Sequence, residues 1–285
     1  MSVLSKLQDA GVRLWWDYSQ IKSAISYPAG GSPPAPPTLG PQTNPLVSCL
    51  MLTRGNIDLM KYSLSCYQSQ TYPNRELVVV AEPEAGEKVR AFIYSQKILN
   101  ASVFVAPPGL TLGDHRNLAA SHARGEIVAT WDDDDLSDPQ RLELAVRVLL
   151  KSGTAAAFLT RLLIWWPQRR LAAISGSKVW EGTMVARRDC VPMYRSLGRG
   201  EDSPAVTELG TTQHVVHIDC PLLYVYAVTG RNTWEAAHFE RFLSWSDCSF
   251  EGDQFDELNQ FLSNRLPVLD YAAVLNDVAA GKTLA

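Results

Sequence analysis

Short apolar runs alternate with amphipathic stretches between residues 46 and 152, and this alternation limits the possible folds more than any other feature. The apolar runs have the length of buried strands and lack the polar alternation of a sheet with one solvated face: LVSCLML (46–52), ELVVVAE (76–82), ASVFVA (101–106) and EIVATW (126–131). The stretches after them predict helices over 57–70, 86–99, 114–125 and 138–152. Strands that alternate with helices indicate an α/β fold whose mainly parallel sheet is covered by helices on both faces.

The first 44 residues lie outside this alternation. Apolar residues at alternating spacings of three and four predict one amphipathic helix over residues 1–26: Leu4, Leu7, Gly11, Leu14, Tyr18, Ile21 and Ile25. We expect this helix to pack on the main domain or on its copy in a homodimer. Residues 27–44 are rich in Pro and Gly and predict an extended linker. The predicted organisation is a helix (1–26), a linker (27–44), a main α/β domain (45–265) and a C-terminal tail (266–285).

Beyond residue 155 the pattern changes to shorter strands and Trp-rich turns. We expect this half to continue the sheet and to carry the part of the site that differs between substrates. TWEAAHFERFL (233–243) predicts a final helix, which is followed by an acidic and less periodic tail.

Charge and cysteine content narrow the class of protein. A net charge of −4 and a pI near 5.8 argue against a nucleic-acid binder, which would carry a basic stripe. Five scattered cysteines without a CxxC spacing favour reduced thiols over a disulfide framework or a zinc site. The sequence shows no signal peptide and no apolar run of ~18 residues. We therefore expect a cytoplasmic protein without a transmembrane segment, able to lie peripherally on the inner membrane face.

Four consecutive aspartates, Asp132 to Asp135, follow directly after EIVATW. One interpretation is a solvated acidic turn, because runs of charge are usually solvated. The other is a site in which a divalent cation neutralises carboxylates that the chain gathers together. The aspartates come at the carboxyl end of a predicted parallel strand, where α/β sheets bind their ligands. This position favours a site.

Three motifs in this order resemble the family 2 glycosyltransferases, which have the GT-A fold. They are PLVSCLMLTRGN (45–56) followed by RELVVVAE (75–82), then GDHRNLAASHARGEIVATWDDDDLSDPQRL (113–142), and GED (200–202). The resemblance covers residues 45 to about 245. It implies a Rossmann-like, mainly parallel sheet and the inverting transfer of a sugar, such as a hexose, from a nucleotide-diphosphate sugar. A UDP-sugar is the first expectation for the donor, and a hydroxyl of a glycan or glycoconjugate for the acceptor.

The resemblance also implies which residues bind the donor. Asp134 matches the family's metal-binding position, and a late histidine, His238, is expected to complete the shell of Mn²⁺ or Mg²⁺. Asp135 would be a nearby supporting or helix-capping group, and Asp133 falls at a variable position without a role. The other matching positions contact nucleotide or sugar in the family: Thr53, Arg54, Glu82, Arg116, Asn117 and Asp132. Trp180, in KVWEGTM, is expected either to form a stacking surface for a sugar ring or to pack in the core. Glu82 stands where the family carries an aspartate that binds the uracil imide.

On the acceptor side, the resemblance assigns the Glu-Asp pair of the GED motif. Asp202 would be the general base that takes the proton of the attacking hydroxyl. Glu201 would orient the acceptor or the donor sugar. The Gln-x-x-Arg-Trp motif of the family's processive polysaccharide synthases is absent, which favours a non-processive enzyme of polysaccharide biosynthesis.

Two other functions stay open at this point. A nucleotidyltransferase also uses an α/β sheet and paired aspartates to hold Mg²⁺, but would carry a Gly-rich, basic loop after the first strand. LTRGNIDLM (52–60) matches such a loop poorly. A catalytically silent module that binds nucleotide or carbohydrate is the other alternative, against which the intact Asp132, Asp134 and Asp202 argue.

Overall fold

The computed structural model describes residues 2–15, 18, 21–27 and 44–279, in which the strands form two sheets. The strands of the larger sheet are β1 (Lys22–Ser26), β2 (Val47–Thr53), β3 (Arg75–Ala81), β4 (Ala101–Val105), β5 (Ile127–Thr130), β7 (Ala156–Leu159), β10 (Val185–Arg187) and β11 (Val215–Asp219). Those of the smaller sheet are β6 (Leu136–Ser137), β8 (Leu163–Trp166), β9 (Leu171–Ile174), β12 (Tyr224–Ala227) and β13 (Cys248–Glu251). The fold is therefore the predicted α/β fold, with a second sheet added.

The first half of the chain forms the parallel part of the larger sheet. Strands β4, β3, β2 and β5 lie side by side in this order, and each pair is parallel. The helices between them are α2 (Ile57–Gln68), α3 (Gly86–Ser95), α4 (Leu112–His122) and α5 (Arg141–Ser152). Alternate residues of β3 belong to two separate apolar clusters: Leu77 and Val79 to one, Val78 and Val80 to the other. The predicted sheet with both faces covered is thus confirmed.

The second half mixes parallel and antiparallel pairing. Strand β10 is antiparallel to both β5 and β7, and β11 continues the sheet parallel to β7. The smaller sheet has the order β13-β9-β8-β12-β6. The helices of this half are α6 (Asp202–Thr212), α7 (Ala236–Leu243), α8 (Asp253–Leu262) and α9 (Val268–Ala279).

The prediction of one helix over residues 1–26 was wrong. Helix α1 (Val3–Asp9) stops before Gly11, whose φ of +69° belongs to the left-handed region that ends helices. Further along, β1 forms the antiparallel edge of the larger sheet against β11. Leu7 is buried in the main core, whereas Leu4 is 38% exposed. The segment thus contributes most of its apolar side chains to the core of its own chain, and a homodimer through it stays a prediction.

The predicted linker and tail have different outcomes. Apart from Tyr27 and Asn44, the linker lies outside the described residues. The expected tail from residue 266 contains α9 instead, and the chain before it contains β13 and α8. Val268, Tyr271 and Leu275 recur at helical spacing and are fully buried, so α9 belongs to the core of the domain. Residues 280–285 lie outside the described residues.

Candidate active site

A cavity of about 380 Å³ opens at the carboxyl ends of β2, β3 and β5. Residues that directly follow these strands line one side of it, as expected for ligand sites in α/β sheets. The opposite side comes from three segments of the second half, 178–183, 199–203 and 224–242. The site is therefore assembled from both halves of the chain.

The acidic stretch is held in place from two directions. Thr53 ends β2, and its hydroxyl donates to Asp133 Oδ2 (2.5 Å) while accepting from the Gly55 amide (2.9 Å). From the second half, Asn232 Nδ2 donates to Asp134 Oδ2 (3.0 Å). Thr53 therefore positions the aspartates, and its hydroxyl is engaged within the protein. Asp133, for which the sequence suggested no role, is the residue that joins the stretch to β2.

Tyr224 links two of the aspartates. Its hydroxyl lies 2.6 Å from Asp135 Oδ2 and 2.9 Å from Asp132 Oδ2, and it donates its one proton to one of them at a time. The amide of Ala227 donates to the other oxygen of Asp135 (2.8 Å). Asp135 is 5% exposed and thus fixes β12 beneath the site, which corrects its expected role as a helix cap. No pattern in the sequence pointed to Tyr224.

Burial and mutual repulsion disfavour the charged forms of Asp133 and Asp134 in the acidic stretch. Burial, together with Asp132, raises the pKa of Asp133 to about 6. Burial raises the pKa of Asp134 well above its ordinary value, and the neighbouring carboxylates of Asp135, Asp133 and Asp132 raise it as well. Arg141 is buried beneath the stretch, with its guanidinium over the rings of Trp131 and Tyr224. A cation placed among these carboxylates would relieve the repulsion.

The donor atoms fit a divalent cation that takes few ligands from the protein. Within the described residues, only one oxygen of the Asp134 carboxylate accepts a hydrogen bond, from Asn232. No group of three or more His, Cys, Asp or Glu side chains in the described residues is arranged to hold a metal ion. Hard cations such as Mg²⁺ usually bind one or two carboxylates and complete their shell with water and phosphate oxygens.

His238 stands apart from the acidic stretch in its contacts. Its ring stacks on Trp234 (4.4 Å, 8°) and meets Phe242 edge-on at 4.6 Å. Burial, followed by Arg241 and Lys178, lowers the pKa of His238 to about 4, so the ring is neutral near pH 7. The structure thus places His238 in a wall of aromatic rings that lines the cavity.

Arg116 connects the two sides of the cavity. Its Nε donates to Glu201 Oε1 (2.5 Å), and its Nη2 lies 4.0 Å from Asp132 Oδ1. Glu201 is 2% exposed, and this ion pair engages one carboxylate oxygen of a side chain that was expected to orient a substrate. Asn117, one residue further on, exchanges two hydrogen bonds with the backbone of Tyr194 and does not line the cavity. The structure therefore does not bring Asn117 to the site.

Asp202 is the first residue of α6 and lines the cavity. Burial raises its pKa to about 6, with Glu201 and Glu181 adding to the shift and Arg116 opposing it. Within the described residues, its carboxylate accepts no hydrogen bond, so it is available to a ligand. The loop before it packs closely on α4, because a Cβ at Gly113 would lie 1.9 Å from the carbonyl oxygen of Arg195.

The three remaining predicted residues differ in exposure. Arg54 and Glu82, at the ends of β2 and β3, form an exposed ion pair (3.3 Å) on the edge of the cavity. Trp180 is 4% exposed and lies beneath Lys178 (4.7 Å from ring centroid to Nζ). Its ring is therefore packed into the core at the border of the cavity, which favours the core-packing alternative over a sugar-stacking surface at Trp180.

Comparison with known proteins agrees with this geometry. The family model for Glycosyl transferase family 2 matches residues 48–184. This segment of the chain is therefore similar to a family 2 glycosyltransferase domain. An uncharacterised glycosyltransferase of Methanocaldococcus jannaschii is 31% identical over 108 residues, and this match spans 37% of each of the two chains. The family match ends before the second half of the site, which includes Asp202, Tyr224 and Trp234.

Two solved structures share the GT-A fold of this chain. A mannosyltransferase from Pyrobaculum calidifontis, in complex with GDP-Man and Mn²⁺, has a TM-score of 0.54 at 18% identity, over 99% of this chain and 86% of that chain. TarS of S. aureus (residues 1–349), in complex with UDP, has a TM-score of 0.53 at 17% identity, over 76% of this chain and 72% of that chain. In the described residues, no helix combines the length and the apolar character that crossing a membrane would require.

Proposed function

We propose that this protein is a metal-dependent, inverting, non-processive glycosyltransferase that moves a sugar from a nucleotide-diphosphate sugar to an acceptor hydroxyl. One observation carries the proposal. A single cavity brings Asp132 and Asp134, at the carboxyl end of β5, opposite Asp202, whose carboxylate has no hydrogen-bond partner in the described residues. One side is suited to an anionic leaving group with its cation, and the other to the removal of a proton.

The donor would bind along the ends of the parallel strands. Arg54 and Glu82 stand where a nucleotide would enter, and Asp132 lies deeper, where its carboxylate can accept from a ribose hydroxyl. UDP and GDP-Man are bound by the two structural neighbours. A UDP-sugar remains our first expectation for the donor, and GDP-mannose is the direct alternative.

Asp134, with Asp132 nearby, would hold Mn²⁺ or Mg²⁺. The bound cation would supply a Lewis acid that neutralises the departing diphosphate. The protein prepares for this charge by keeping four carboxylates together at the end of β5, where Thr53, Asn232 and Tyr224 fix their positions.

Asp202 would take the proton of the attacking hydroxyl. Its raised pKa of about 6 lies close to the working range of a general base. Arg116 and Glu201 would position this carboxylate relative to Asp132, because their ion pair spans the two sides of the cavity. A single displacement with one base inverts the anomeric centre.

Release of nucleoside diphosphate tests the proposal. We expect one sugar donor from a panel of UDP- and GDP-sugars to be consumed with Mn²⁺ or Mg²⁺ and to be stable with EDTA. Asp134→Asn should lower turnover by roughly 10²–10³-fold, as loss of a charge-stabilising group does. Asp133→Asn is the matched control, since it removes the same charge one residue away and should cost much less. Equal donor affinity in EDTA and in Mn²⁺ would exclude the metal, and no consumption of any donor would exclude the transferase.

A further inference from the structure

Three cations surround the aromatic wall formed by Trp234, His238 and Phe242. The guanidinium carbon of Arg199 lies 4.6 Å from the ring centroid of Trp234. The guanidinium carbon of Arg241 lies 5.4 Å from that of Phe242, and Lys178 Nζ lies 5.2 Å from it. We call Lys178, Arg199 and Arg241 the basic rim. All three line the cavity together with the aromatic wall.

Two members of the basic rim have positive charge that the protein does not neutralise. Lys178 pairs with Glu181 (2.9 Å). In the part of the chain that the structure describes, however, no carboxylate oxygen lies within 4.0 Å of a guanidinium nitrogen of Arg199 or Arg241. Elsewhere in the cavity, Arg54 and Arg116 each have a carboxylate partner. Arg199 and Arg241 are therefore available to an anion from outside.

The basic rim lies on the side of Asp202 rather than on the side of the donor. Trp234 comes within 3.8 Å of the position of a Cβ on Gly200, two residues before Asp202. Ser203, directly after Asp202, donates to Glu181 (3.2 Å), the partner of Lys178. Asn232, which donates to Asp134 of the acidic stretch, precedes Trp234 by two residues and is not part of the basic rim. An anion at the rim would thus belong to the molecule whose hydroxyl reaches Asp202.

We propose that the acceptor carries an anionic group, a phosphate or a carboxylate, which Arg199 and Arg241 bind while its hydroxyl lies at Asp202. This inference rests on the proposed function, because it concerns the second substrate of that reaction. A guanidinium presents two parallel N–H groups that match either kind of anion. A sugar ring or polyol of the acceptor would then lie against Trp234, which is 36% exposed.

Matched pairs of small acceptor probes test the inference. Binding of sn-glycerol 1-phosphate is compared with that of glycerol, and binding of methyl β-glucuronide with that of methyl β-glucoside. Calorimetry uses the full chain with Mn²⁺ and with UDP or GDP, whichever binds. We expect at least one anionic probe to bind about tenfold more tightly than its neutral partner, and this preference to shrink as salt is added. A response to phosphate alone, or to carboxylate alone, identifies which anion the acceptor carries.

A double variant, Arg199→Gln with Arg241→Gln, should remove the preference while leaving nucleotide affinity within about twofold. Arg169→Gln is the matched control, because Arg169 also lies over an indole ring, that of Trp166, but outside the cavity. Equal affinities within both pairs, including no detectable binding of either anion, would overturn the inference. So would a double variant that weakens nucleotide binding, since the rim would then serve the diphosphate. A protein that shows the preference but consumes no donor would contradict the proposed function and not the anion site.

Discussion

In the first half of the chain, residues 44–152, many cavity residues stand at the ends of regular strands, whereas in the second half, residues 153–279, most stand on loops and short helices. Thr53, Glu82 and Asp132 each come within two residues of a strand end, so their positions follow from the parallel sheet. Asp202, Asn232 and Trp234 come from separate segments that meet only in the folded protein. In the proposed function, the first half would thus provide a preformed donor side, and the second half would adapt that side to an acceptor.

The N-terminal segment belongs to the second half. The Val3 amide donates to Glu257 (3.1 Å), Arg161 Nη1 donates to the carbonyl of Ala10 (2.8 Å), and β1 extends the sheet beyond β11. The parallel half is completed by its own helices, while the mixed half recruits a distant piece of chain for its edge. We therefore expect destabilising substitutions in the N-terminal segment to affect the proposed acceptor side before they affect the donor side.

The largest effect is expected from Asp202→Asn, which should separate the chemistry of the two sides. The amide keeps the shape of the carboxylate but cannot take a proton, so transfer should fall by about 10²–10⁴-fold. Donor and metal affinity should survive, because they depend on residues of the first half. Turnover assays and donor calorimetry measure the two quantities, and NMR of the wild-type product should show an inverted anomer. Near-normal turnover or a retained anomer would exclude Asp202 as the base.

Leu7→Ala tests whether the N-terminal segment supports the second half. Leu7 is fully buried, and such a truncation costs about 2–5 kcal/mol of the free energy of unfolding. For a chain of this length, the melting temperature should fall by about 4–20 °C. Leu4→Ala, on the exposed face of the same helix, is the control and should change stability by less than about 0.5 kcal/mol. An unchanged melting temperature for Leu7→Ala would show that the segment is an independent appendage.

Gly113→Ala tests the junction at which the halves touch. The added methyl group would meet the Arg195 carbonyl at 1.9 Å, so the loop that carries Glu201 and Asp202 must move. A displacement of about 1 Å can lower turnover by about 10²-fold. Gly210→Ala in α6 is the control, since nothing lies within 4 Å of its Cβ, and it should stabilise the helix by up to about 1 kcal/mol. Full activity of Gly113→Ala would mean that the loop is not held by this contact.

The sequence predicts the two halves to different degrees for a physical reason. Local composition marks the strand ends of the parallel sheet and places the acidic stretch from Asp132 at one of them, whereas Thr53, Arg54 and Glu82 were assigned from the family resemblance. Tyr224 acts through contacts with Asp132 and Asp135, which lie 92 and 89 positions away, and nothing local distinguishes it from an ordinary core residue. For Trp180 and His238 the opposite holds. Their residue types suggested contacts with a ligand, whereas in the structure both side chains pack against other rings. The prediction of one helix over residues 1–26 was wrong because it continued the periodic apolar pattern past Gly11.

A smaller effect concerns the pH dependence of the acceptor side. Since the pKa of Asp202 is raised to about 6 and the base acts when deprotonated, kcat/KM for the acceptor should fall about tenfold per pH unit below this value. Glu181 contributes to the raised pKa, so Glu181→Gln should move the inflection to lower pH. Donor affinity at saturating Mn²⁺ should not follow the same curve. A profile without an inflection between pH 5 and 8 would argue against Asp202 as the titrating base.

The smallest effect is expected from Tyr271→Phe, which tests how far the second half supports the donor side. Tyr271 is fully buried in α9, and its hydroxyl donates to the main-chain carbonyl of Asp134 (2.6 Å). Loss of such a bond costs about 0.5–1.5 kcal/mol, which corresponds to at most about tenfold in Mn²⁺ affinity. Electron paramagnetic resonance can measure free Mn²⁺ in the presence of nucleotide.

Tyr62→Phe is the control, because Tyr62 stacks on Tyr271 and donates to the carbonyl of Asp270, at the same helix but away from the aspartates. A loss of stability in both variants with unchanged Mn²⁺ affinity would limit α9 to packing. A lower Mn²⁺ affinity in Tyr271→Phe alone would show that the C-terminal helix positions the acidic stretch, and the two halves would then share the donor side.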